Sequence, residues 1–291
     1  MAIPTPAAPL LPTHVQVRFL PEGEAAPGGA SLLARFSDPQ PYAAYASSRE
    51  LRGPDGFAAL PEIGAESVDA LDVLFIPGGA ATPYAEQQRA EAWMAKPADR
   101  RCEPTIELVL RSDRILWRSG RALVQGAGER FGELLDGLAD FAFHEGELRK
   151  LEGELDRDWP AYEADIRLTH AVGDAELAEQ EHVNAMTVAA TRRRMLYARL
   201  ERPLEKASIT LPGPARRLVS ELAVQAEILE RMKSVDDRIE VFEDLYELAN
   251  DRLSEYHYFS TELRIERWIF VVLFLELILC AWEVILLLQE S

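Results

Sequence analysis

The chain has 291 residues, 48% of them hydrophobic, which is enough apolar material for a substantial core in one large or two modest domains. Its 49 acidic against 31 basic residues give a formal net charge of -18, and that balance excludes direct nucleic-acid binding, because phosphate neutralisation needs a cationic stripe. Two cysteines, Cys102 and Cys280, exclude an extracellular disulfide framework, and no cofactor is implied.

Residues 1–12 read as a flexible N-terminus. They and the eight residues that follow lack the basic start and long apolar core of a secretory signal. The preference for Arg over Lys, with abundant Ala, Gly and Pro, points to a bacterial source.

Residues 13–118 predict an α+β soluble domain. HVQVRFL alternates with period two, and SLLARF and LDVLFIP are short strand candidates. TIELVLRSDRILWRSG places a turn at Arg111–Arg114 between two strands. The stretches at 21–30 and 49–66 read as loops.

Residues 119–263 predict a helical body and stalk. Phe131, Leu134, Leu138, Phe141, Leu148, Leu151 and Leu155 form one apolar stripe on a long helix that Pro160 bends or ends. Asp174 is placed to cap a second helix running to about Pro203, and Pro214 suits the first turn of a third. Arg192–Arg194 is the one basic cluster, and the acids around it mark a solvated helix face. Ile239, Phe242, Tyr246, Ala249, Leu253, Tyr256, Ser260 and Leu263 recur at alternating steps of three and four. That heptad predicts a coiled-coil-like seam on a stalk.

Residues 264–291 predict a C-terminal transmembrane anchor. Trp268–Leu288 is 21 residues long with two charges, Glu276 and Glu283, against the roughly 20 residues that cross a hydrocarbon core. Arg264 and Arg267 precede it, so the positive-inside rule keeps the body in the cytoplasm of a tail-anchored, single-pass inner-membrane protein. Glu276 and Glu283 lie seven apart on one helical face, nearly opposite the extended seam. Two faces that both want protein imply self-association, or a further membrane or cytoplasmic protein partner beside the lipid bilayer. Arg264, Glu266, Arg267, Trp268, Glu276 and Glu283 are thus the expected assembly residues.

From GPARRLVSELAVQ through RIERWIFVVLFLELIL, residues 213–280, the chain resembles the C-terminal half of the required-for-meiotic-nuclear-division family, a domain of unknown function in bacteria and mitochondria. That family ends in paired long helices and an Arg-Leu-Glu-Trp-like step into one apolar span containing a glutamate. Here the step is Arg264, Ile265, Glu266, Arg267, Trp268, followed by Glu276. The change to Ile265 and the extra Arg267 depart from it. The resemblance implies an anchored oligomeric assembly supporting another process, with no catalytic residues to carry over.

Three other patterns invite chemistry. LDVLFIPGG, with Gly78 and Gly79, resembles the strand and turn of the class I amidotransferase superfamily, but Cys102 lacks the strand-to-helix elbow that activates a thiol. Glu179 and His182 have the spacing of half a di-iron site, and no second pair exists. His144, His170 and His257 stand alone on predicted helices. The expected protein is a membrane-anchored homo-oligomeric scaffold or tether without catalytic activity. The alternatives are an oligomeric cation conduit lined by Glu276 and Glu283, and an amidotransferase-like N-terminal enzyme.

Overall fold

The computed structural model describes residues 11–53, 56–57, 60, 69–78, 83–96, 104–170 and 173–289, the side chains of 52–53, 56–57, 174–175, 281 and 283–289 excepted. Two compact units result, one from Met1–Asp156 with Arg193–Asp237, the other from Arg157–Arg192 with Arg238–Ser291.

The first unit is built on strands β1 (Thr13–Pro21), β2 (Ser31–Phe36) and β3 (Tyr42–Glu50), a short pair β4 (Arg52–Gly53) and β5 (Gly56–Phe57), and β6 (Ala70–Pro77). Helix α1 (Tyr84–Ala95) then precedes β7 (Ile106–Leu110), β8 (Asp113–Arg118) and β9 (Arg121–Gly126). Seven strands form one sheet in the order β2-β3-β1-β6-β9-β8-β7. Among the described strands only β6 and β9 pair in parallel.

The centre of the sheet is covered on both faces, which is why LDVLFIP is a continuous apolar run rather than an alternating one. Leu74 and Ile76 pack in one cluster with Ala90, Trp93 and Met94 of α1. On the other face Phe75 meets Phe131, the first residue of α2 (Phe131–Asp165), at 4.7 Å between ring centres. Arg121 locks α1 in place, because its guanidinium donates to the carbonyls of Trp93 at 3.1 Å and Lys96 at 2.9 Å. A cation there satisfies helix-end acceptors and complements the helix dipole.

The stripe expected on α2 is buried along its whole length, from Phe131 to Leu155. Pro160 does not end the helix, which continues to Asp165 and a 3-10 turn at Ile166–Thr169. Trp159 and Tyr162 both pack on Phe242, and that burial outweighs the one hydrogen bond proline removes. The remaining helices are α3 (Asp174–Leu177), α4 (Gln180–Glu205), α5 (Gly213–Gln225) and α6 (Ile228–Gln289). Pro214 stands in the first turn of α5 as predicted.

In the second unit Ile239, Phe242, Tyr246, Ala249 and Leu253 of α6 are buried, together with Tyr162, Leu168 and Val183. Tyr256 is half-buried and Leu263 exposed. The first five seam residues therefore have partners within their own chain.

One expectation is overturned. The chain is a mixed α/β fold, and among the described residues no helix is long and apolar enough to cross a membrane. Charged residues Arg264, Glu266, Arg267 and Glu276 interrupt the apolar run of α6. The transmembrane anchor, the tail-anchored topology and the inner-membrane placement are corrected accordingly, and the cation conduit loses the span it needed.

Candidate functional site

The first unit contains a cavity of about 1360 Å³ between the β1–β2–β3 end of the sheet, α2 and the C-terminal turns of α4 with the segment after it. Two helical stripes face it. Asp136, Asp140 and His144 recur every fourth residue on α2, and Arg199, Arg202 and Lys206 recur at steps of three and four at the end of α4. Both spacings place their members on one helix face.

His144 is only 6% exposed. Its ring is held by aromatic edges, with Phe36 at 5.5 Å and Phe143 at 5.2 Å, and Phe36 itself stacks on Phe143 at 4.1 Å. Nδ1 donates to the backbone carbonyl of Asp140 at 2.9 Å. Among the described residues Nε2 has no partner. Among the described residues no fully buried side-chain nitrogen or oxygen lacks one, and His144 lines the cavity.

Asp140 is 8% exposed, and burial raises its pKa against the opposing pull of His144. Its Oδ2 lies 3.8 Å from His144 Nδ1, beyond hydrogen-bond range. One turn earlier, burial and the Glu133 carboxylate push Asp136 up to about 6. The next buried acids of α2 are treated differently. Glu145 is paired with Arg149 at 2.7 Å and Arg231 at 2.9 Å, and Glu147 with Lys150 at 2.7 Å. A buried acid normally has such a partner, so the cavity acids stand apart.

On the opposite wall Arg199 donates to the Pro39 carbonyl at 3.1 Å. Arg202 and Lys206 are exposed and have no ion-pair partner among the described residues, in a chain where acids outnumber bases. Sequence reading singled out His144 as solitary and passed over Asp136, Asp140, Arg202 and Lys206. The four-residue repeat was the available signal.

The predicted assembly residues lie elsewhere. Arg264, Glu266, Arg267, Trp268 and Glu276 are exposed on α6, and the Glu283 side chain lies outside the described residues. Glu179 pairs with Arg167, and His182 donates its Nε2 proton to Asp165 at 2.8 Å. Those partners engage both residues of the pair, and among the described residues no group of three or more His, Cys, Asp or Glu is placed to hold a metal. Gly78 donates its N–H to the Gly126 carbonyl at 2.8 Å, and a β-carbon on it would stand 3.3 Å from Gly126 Cα. Close backbone approach accounts for that glycine. Gly79 and Cys102 lie outside the described residues.

No family model matches the chain, and no curated protein or solved structure matches it either.

Proposed function

We propose that this chain is a non-catalytic scaffold or tether that joins copies of itself through the C-terminal half of α6. The observation that carries the reading is exposure. Every residue from Trp268 to Leu275 is a large apolar side chain left exposed, and Leu277, Ile278, Leu279 and Trp282 continue the run. Apolar surface of that extent marks an interaction site rather than a free face.

Eight successive positions at about 100° each go round the whole helix. A single partner face does not cover them, whereas a bundle of three or more helices does. Roughly 100 Å² per half-exposed side chain sums to on the order of 1,000 Å², above the about 800 Å² per partner of a stable complex. Charge favours a second copy as the occupant. Glu262, Arg264, Glu266 and Arg267 are all exposed just before the run, a segment of mixed charge on which two copies can set acid against base. The resemblance of residues 213–280 to an assembly family points the same way.

Sedimentation velocity of the full chain tests the proposal, wild type beside Phe270→Glu with Leu273→Glu. The expected result is a discrete oligomer of three or more copies that dissociates in the variant while its circular dichroism is unchanged. A wild-type monomer at every concentration overturns it.

A further inference from the structure

The cavity of the first unit presents two sets of groups that lack what they need. On α2, the carboxylates of Asp136 and Asp140 are acceptors without a described donor, and Asp140 is more than nine-tenths buried. On α4, Arg202 and Lys206 are cations without a described anion. Both sets line one cavity.

We infer that this cavity binds a small zwitterion, a molecule with an ammonium group at one end and a carboxylate or phosphate at the other. The ammonium meets the α2 wall. It carries three donors and no acceptor, which suits the buried Asp140 carboxylate, with Asp136 one turn away. Burial of Asp140 without a cation is unfavourable, so a ligand ammonium supplies the counter-charge that Arg231 and Lys150 give Glu145 and Glu147 further along the helix. The oxyanion meets Arg202, in the last turn of α4, and Lys206, just past its end, both of which line the cavity.

The polarity of the cavity sets the orientation. Asp38 and Glu50 add negative charge to its lining, so an anion entering alone is attracted only at the α4 side. A simple amine satisfies α2 and leaves the α4 cations unmatched. Only a molecule with both ends satisfies both walls, and apolar Val15, Phe36, Phe131 and Leu135 accommodate the chain between them.

The test is a titration of the full chain, with its histidines isotopically labelled, against ω-amino acids of increasing length from glycine to 6-aminohexanoate. Butyrate and butylamine serve as single-ended controls, and phosphoethanolamine as the phosphate arm. The His144 ring signal is assigned by its loss in His144→Gln. The expected result is a saturable shift of that signal with an optimum length, absent with either control. A stronger response to phosphoethanolamine identifies phosphate as the anionic end, and a stronger response to the amino acids identifies carboxylate. Arg202→Glu with Lys206→Glu, both on the surface and safe for folding, weakens the response about tenfold. The proposal is overturned if no member of either arm moves the signal, if the controls move it equally, or if the double charge reversal leaves it unchanged. None of these outcomes depends on self-association through α6.

Discussion

The carboxylate of Asp113 occupies the space that a side chain on Gly126 would need. A β-carbon built on Gly126 stands 2.0 Å from Asp113 Oδ1, far inside contact distance. Asp113 is 1% exposed, accepts from the Ala127 N–H at 3.1 Å and pairs with Arg130 at 2.9 Å. It thereby ties the end of β9 to the start of α2. Gly126→Ala is expected to expel that carboxylate and to cost about 3 kcal/mol, the sum of a steric clash and a buried hydrogen-bonded acid set adrift. Urea unfolding of the two proteins measures it, and a loss under about 1 kcal/mol refutes the account.

Asp136 gives a pH dependence with a definite sign. Its folded pKa of about 6 lies above its ordinary value of 3.8, so between those values the folded state holds the proton more tightly than the unfolded state. Stability from this group is therefore present at low pH and lost as pH rises through about 6. Asp136→Asn removes the loss. Allowing for partial exposure, the variant should be more stable by about 1–2 kcal/mol above pH 7 and gain nothing near pH 4. Equal differences at both pH values in denaturant titrations would count against it.

Much of the framework was legible because burial imposes a period. β1, β2 and β6 and the hairpin β7–β8 match the strands read from HVQVRFL, SLLARF, LDVLFIP and TIELVLRSDRILWRSG, and the α2 stripe is buried where the three-and-four spacing put it. β9 was missed because RALVQG, nearly all buried, offers no alternation and abuts a helical sequence. β3 was missed because YAAYASSRE is small and polar, and α1 because only Ala90, Trp93 and Met94 of its twelve residues are buried. The cavity was illegible for another reason. Asp140 and Arg202 are 62 positions apart in the chain, and only the sheet and the return of α4 bring them to one space. The apolar end of α6 was plain in the sequence, but its run was read as longer than the described residues support.

The boundary between α5 and α6 stores local strain. Glu227 has φ 52, a left-handed conformation that non-glycine residues seldom adopt. No proline or glycine marks the break, so the sequence carries no stop signal between the two helices. Glu227→Gly removes the steric penalty at the expense of some unfolded-state entropy. The net expectation is a gain of about 0.5–1 kcal/mol with no change in helix content. Thermal and urea unfolding should agree on the direction, and a destabilised variant would mean that the glutamate side chain contributes more than its backbone costs.

In the second unit Asp165 joins two elements through a single oxygen. Oδ2 accepts from Tyr246 Oη at 2.8 Å and from His182 Nε2 at 2.8 Å, and Asp165 is 6% exposed while Tyr246 is fully buried. A shared acceptor makes the three residues act as a unit, so single deletions should not add. Tyr246→Phe leaves the carboxylate with His182 and is expected to cost about 1–1.5 kcal/mol. Asp165→Ala takes the carboxylate from both the buried Tyr246 hydroxyl and His182 and should cost about 3 kcal/mol. The double variant removes donor and acceptor together, so its loss should fall short of the sum by about 1 kcal/mol or more. Strict additivity in that cycle would show that the Tyr246 hydroxyl finds another acceptor, and that the aromatic packing of Tyr162 against Phe242 and Tyr246 holds this part of α6 without the carboxylate.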